Sequence, residues 1–117
     1  MLRNLDEATI PLGVVTTAGV VSHTGVGGLA TGIGQGRLAR SFGYTIDNVR
    51  GVKVLTPDGR HLRADATQNS DLYWGVRGGG GNFGIVTEFE IQLYDFDPTV
   101  TSISYTFPVS KAADVYK

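Results

Sequence analysis

The chain has 117 residues, 41% of them hydrophobic, which is enough for one modest core and too little for a second domain. Its 10 Lys and Arg against 11 Asp and Glu leave a net charge of −1, which argues against nucleic acid or an anionic membrane surface as partner. There is no cysteine, so disulfides, thiolate metal sites and a cysteinyl link to a cofactor are excluded. The most apolar stretch, Ile10 to Gly34, is interrupted by glycines and threonines and follows no basic n-region. It therefore reads as neither membrane span nor signal peptide, and the expectation is a soluble protein of the cytoplasm. Glycine is the strong deviation: 17 residues, about twice the usual share of roughly 7%.

Leu2 to Leu12 carries apolar residues at Leu2, Leu5, Ala8, Ile10 and Leu12, with Asn4 and Asp6 as candidate caps. This predicts a short helix stopped near Pro11 and Gly13. Val14 to Val21 suits a buried strand or an extended loop. A first glycine island, Gly25 to Gly36, follows. Gly36 to Phe42 then offers about two helical turns, Leu38 and Phe42 on one face, Arg37 and Arg40 on the other, stopped by Gly43. Val49 to Leu55 and His61 to Ala64 flank Pro57-Asp58-Gly59 and predict a β-hairpin. Asn69 or Ser70 caps a helix through Val76, which the second island, Gly78 to Gly84, ends. Ile85, Thr87, Phe89, Ile91 and Leu93 alternate with polar residues and Val86, the pattern of a half-buried strand, and a further strand is expected over Val100 to Phe107. Ser110 to Lys117 reads as the start of a helix. The fold class is α+β, a mainly antiparallel sheet flanked by short helices.

Clustered glycines are what tight turns or close backbone approach to a ligand would produce. In the first island, bare N–H groups and the hydroxyls of Thr24 and Thr31 suit phosphate or polar ring edges. A Rossmann fingerprint is rejected: after Gly32 and Gly34 the third glycine comes too early, and no clean strand precedes with an acidic residue about twenty positions on. A Walker lysine is absent as well. Four consecutive glycines, Gly78 to Gly81, cost roughly 0.5 to 1 kcal/mol each relative to Ala in regular structure, so a steric reason is expected. The main chain of Ile85 and Val86 presents groups suited to an adenine edge. Each island alone also reads as an ordinary glycine-rich turn. An Asp47-Asn48 pair before a strand serves first as a cap or turn, with ligand contact the competing reading. His23 is first a hydrogen-bonded, noncatalytic residue, His61 a solvent-facing hairpin residue, and Tyr73 and Trp74 core candidates. No catalytic triad and no metal-ligand cluster is found.

Three blocks, taken together, carry a resemblance over Val20 to Val100. They are His23 to Leu29 leading to Gly36 to Arg40; Phe42 to Val49; and Asp71 to Arg77 with the glycine run and Asn82 to Thr87. The chain resembles the FAD-linked oxidases of the p-cresol methylhydroxylase type, in the branch of berberine bridge enzyme-like and 6-hydroxynicotine oxidase-like proteins. The resemblance implies the second subdomain of such an FAD-binding domain over residues 1–100, with 101–117 the start of a truncated substrate domain. It implies FAD as cofactor and partner, lying along Thr24, Gly25, Val26, Gly27, Gly28, Thr31, Gly32, Gly34 and Asp47, with Gly84, Ile85 and Val86 near the adenine end. Some relatives have a second covalent link through a cysteine where Val21 stands, and many have glycine where Ile33 stands. The implied function is the FAD-binding portion of an oxidoreductase that takes a hydride from a small-molecule substrate, this portion not being catalytic alone. A noncatalytic, self-assembling homo-oligomer and a generic nucleotide-binding module are the competing readings.

Overall fold

The computed structural model describes residues 1–97 and 99–116. Helix α1 spans Leu2–Thr9 and runs into a 3-10 turn, Ile10–Leu12, closed by Gly13 at φ 67°. The stop is where Pro11 and Gly13 predicted it, but neither Asn4 nor Asp6 caps the start. The N–H groups of Leu2 and Arg3 donate instead to the carbonyls of Thr24 (3.0 Å) and Ser22 (2.9 Å), so a distant loop satisfies the helix terminus. Of the stretch Val14 to Val21 only β1, Val14–Val15, is strand, paired antiparallel with β5, Tyr94–Asp95.

The first island is not wholly loop. Val26–Gly32 forms helix α2, whose Ala30 is 1% exposed. Burial of one small apolar face overrides the poor helix propensity of its glycines, a tertiary effect that a propensity scale does not contain. The expected helix from Gly36 to Phe42 shrinks to one turn, α3, Ala39–Phe42. A 3-10 turn, Thr45–Asn48, leads into β2, Val49–Leu55, which pairs with β3, His61–Asp65, as the predicted hairpin with Gly59 at φ 81°. Helix α4, Ser70–Gly79, follows and leaves helical geometry at Arg77 and Gly78. A 3-10 turn, Gly80–Phe83, leads to β4, Ile85–Ile91.

The main sheet has the order β3-β2-β4, all antiparallel. Its core is Ala30, Val49, Val52, Val54, Ala64 and Val76, with Leu72, Tyr73, Val86 and Phe89 packed at its margin. The predicted inward face of β4 is only partly right. Lys53 pairs with Glu88 and Val54 with Val86, so Thr87 is an extra residue at an irregularity. That bulge switches sides: Val86 turns in, and Ile85 is 66% exposed. Trp74 is 78% exposed rather than core, because Tyr73 and Val76 occupy the face of α4 that meets the sheet.

Residues 100 to 107 alternate as expected yet form no strand, since among the described residues no backbone pairs with them. Every described residue from Thr99 to Tyr116 is exposed, including the last short helix α5, Ala112–Val115. This arm lifts the radius of gyration to 17.5 Å, above the roughly 13 Å of a compact domain near this length.

Candidate functional site

The two glycine islands, far apart in sequence, meet in space. A Cβ built on Gly78 would lie 3.6 Å from the Gly32 carbonyl, in ordinary contact. Beside that meeting point is a cleft of about 220 Å³. Gly27, Gly28 and Thr31 of α2 form one wall, Gly80, Gly81 and Gly84 the other, and Val86 and Phe89 complete the lining. No ionisable side chain lines it.

The glycines divide by what a side chain would meet. Gly36 is blocked because a Cβ would run into the Ala18 carbonyl, and Gly75 because it would lie 2.9 Å from the Phe83 ring. Gly34 combines φ 73° with contact against Thr45, and Gly84 combines φ 134° with contact against the Leu55 carbonyl. Folding therefore requires these residues. By contrast Gly25, Gly28, Gly32 and Gly81 have nothing within 4 Å of the built Cβ, and Gly27 has only Phe89 at 3.8 Å. None of these five has a left-handed backbone, and all lie in the two islands. Gly27, Gly28 and Gly81 face the cleft. Three of the five belong to α2, and at Gly27 and Gly28 in its interior glycine costs about 1 kcal/mol relative to Ala. Neither steric contact nor a left-handed backbone accounts for them.

Among the sequence-predicted residues, Gly27, Gly28, Thr31, Gly84 and Val86 line the cleft. The Thr31 hydroxyl donates to the Gly27 carbonyl at 3.1 Å, so it faces the cleft as an acceptor rather than the expected donor. Gly25 is the N-cap of α2, Val26 its first residue and Gly32 its last. Thr24 precedes them, its carbonyl committed to Leu2. Ile85 does not line the cleft; the bulge turns it outward. Gly34 and Asp47 also lie outside its lining. The Thr45 hydroxyl donates to the Gly34 carbonyl at 2.7 Å, with the Thr17 carbonyl 2.9 Å away. Asp47 accepts the Tyr44 N–H at 2.8 Å and stands 4.0 Å from Arg77, which makes it a turn cap.

Asn48 is wholly occupied. Its amide donates to the Phe42 (3.0 Å) and Tyr44 (2.8 Å) carbonyls, and its oxygen accepts from the Tyr94 hydroxyl at 2.8 Å. His23 and His61 are exposed. Gly80, Gly81 and Phe89 were missed as site residues. The run of four glycines signalled the first two, whereas Phe89 reaches the cleft through the β4 bulge, which leaves no mark in the sequence. A larger groove of about 350 Å³ lies elsewhere, where α1 approaches Thr16, Arg37 and Phe96, and takes in none of the candidates. Among the described residues no helix is long and apolar enough to cross a membrane, and no His, Cys, Asp and Glu group could hold a metal.

Residues 1–65 match the family described as FAD binding domain. The FAD-linked oxidoreductase pgmH of Aspergillus terreus is 38% identical over 105 residues, covering 87% of this chain and 21% of that protein. Chitooligosaccharide oxidase of Gibberella zeae is 41% identical over 83 residues, 71% of this chain and 17% of its own. The crystal structure of 6-hydroxy-D-nicotine oxidase from Arthrobacter nicotinovorans superposes with a TM-score of 0.79 at 34% identity, over 81% of this chain and 21% of that one. The chain thus spans about a fifth of the length of the proteins it matches.

Proposed function

The chain belongs to the FAD binding domain family of FAD-linked oxidoreductases, and on that footing we propose that the cleft between the glycine islands seats part of the FAD. The observation that carries the assignment is the set of glycines that folding does not need. Their bare backbone forms a cradle that a Cβ at Gly27, Gly28 or Gly81 would partly fill. With no lysine or arginine in the lining, main-chain dipoles and the Thr31 hydroxyl oxygen are the polar groups this cleft offers a dinucleotide. Thr24, Gly25, Val26 and Gly32 continue the same wall at the two ends of α2, and Ile85 contributes backbone only. Gly34 and Asp47 act behind this surface, holding the turn that supports it.

Bound FAD supplies the hydride acceptor of a flavin-dependent oxidation, and the protein's part is binding and orientation. In the whole protein we place a small-molecule substrate in a further domain, to which residues 101–117 lead. The exposure of the arm from Thr99 to Tyr116 supports that division. Exposed Trp74 and Ile85 favour self-association as a second reading, which sedimentation would detect as a concentration-dependent dimer.

The test is titration of FAD against the wild-type protein and Gly81→Leu, followed by flavin fluorescence. A Cβ on Gly81 meets nothing within 4 Å in the protein itself, and the melting temperature of the variant checks that the fold survives the longer side chain. Affinity is expected to fall at least about tenfold. Equal affinities with an unchanged melting temperature would remove FAD from this cleft.

A further inference from the structure

We propose that Arg77 sets the separation of the two glycine islands, as a positioning residue for the cleft rather than a cofactor contact. The functional half of this rests on the FAD reading above; the mechanical half rests on bonds within the protein.

Ile46 is the joint. Its N–H donates to the Ile33 carbonyl at 3.2 Å, at the C-cap of α2, and its own carbonyl accepts from Arg77 Nε at 2.8 Å. Both polar groups of one peptide residue thus tie the end of α2 to the start of the second island. One residue inward from each anchor are Gly32 and Gly78, the point where the islands touch. Both walls of the cleft continue from that contact. The neighbouring bond from the Thr45 N–H to the Gly34 carbonyl, 2.9 Å, stiffens the first half of the tether.

Several groups hold the guanidinium. It lies 4.8 Å over the Tyr73 ring, whose hydroxyl donates to the Val49 carbonyl at 2.6 Å, so the platform is fixed to β2. Its Nη2 stands 4.0 Å from Asp47, which caps the same turn that carries Ile46. The backbone of Arg77 (φ −83°, ψ 74°) and of Gly78 (φ 117°) has left the helix here. The direction in which the chain enters the glycine run is therefore decided at this residue, and the side chain supplies the restraint that the helix no longer gives. A planar group able to stack and donate from Nε at once suits that task, and lysine does not.

Hydrogen exchange of the full chain, read segment by segment, tests the tether. Arg77→Met keeps an unbranched stem against Tyr73 and removes the donors. It is expected to exchange about tenfold faster over both 27–34 and 78–84, with β2 and β3 unchanged. Acceleration confined to 76–84, or equal acceleration in the hairpin, would overturn the coupling. Should Arg77→Met not fold, Arg77→Lys is expected to loosen both islands by a smaller factor, and wild-type exchange in that variant overturns the proposal. In FAD-loaded protein Arg77→Met is expected to raise the FAD dissociation rate about tenfold with the flavin spectrum unchanged. A changed spectrum would mean direct contact and overturn the positioning role. If the whole protein that contains this chain takes up no FAD, the cleft assignment fails, and the exchange comparison still decides the tether.

Discussion

Replacing Gly28 with alanine should move stability and cofactor affinity in opposite directions. Gly28 lies inside α2, is exposed, and a Cβ there meets nothing within 4 Å. Alanine in such a helical position stabilises by about 0.5–1 kcal/mol, which for a domain of this size raises the melting temperature by about 4 °C. The same methyl projects at a backbone that lines the cleft. If FAD packs against that backbone, the intrusion costs about 1–3 kcal/mol, or about five- to 150-fold in affinity. Thermal melts by circular dichroism without FAD give the first quantity and fluorescence titration the second. A variant that melts higher and binds FAD as tightly as wild type would refute the reasoning, because Gly28 would then be a helix defect with no use. Gly36→Ala is the control: its Cβ would run into the Ala18 carbonyl, so it should lower stability whether or not FAD is present.

Asn48 is 1% exposed and holds three partners, so Asn48→Ala deprives the Phe42 carbonyl and the Tyr94 hydroxyl of the amide and leaves the Tyr44 carbonyl with the Asp47 N–H. A loss of about 3 kcal/mol in urea denaturation is expected, whereas a loss under about 1 kcal/mol would show that water replaces the amide. Asp65 accepts the Thr67 N–H first, then the Thr67 hydroxyl and Arg63, and these hold its carboxyl well below the usual range. A depressed folded value contributes stability that is complete above the unfolded pKa of about 3.9 and is lost as pH falls below it. The advantage of wild type over Asp65→Asn should therefore shrink between about pH 5 and pH 3; a difference in denaturation midpoint that stays constant across that range would contradict this.

What the sequence made legible was local. The β2–β3 hairpin follows from Pro57-Asp58-Gly59, whose turn chemistry lies within three residues. Helix α4 was legible as far as Val76, but the hydrogen bond that Arg77 makes at its break goes to the Ile46 carbonyl, thirty-one positions earlier in the chain. Helix α2 was hidden because glycine-rich segments announce turns, and only packing of Ala30 against the sheet overrides that signal. The face of β4 was misassigned because a bulge at Thr87 inverts a period-2 pattern without altering it. The strand expected at Val100 to Phe107 had the right period and no partner. Periodicity specifies a face, whereas a ladder needs a neighbour.

The same division governs the site. Glycine content signalled close backbone approach, yet glycine serves folding at Gly36, Gly75 and Gly84 and something else at Gly28 and Gly81. In sequence these are the same letter; only the space around each Cβ separates them. The glycines without a left-handed backbone whose built Cβ meets nothing closer than 3.8 Å are confined to the two islands, and three of these five face one cleft. At Gly27 and Gly28, inside α2, alanine would fit and favour the helix, so stability alone does not select glycine there. Gly34 and Asp47 belong on the other side of that line. Each has an internal partner, the Thr45 hydroxyl for the Gly34 carbonyl and the Tyr44 N–H for Asp47, and both lie in the support that joins the islands, outside the lining of the cleft.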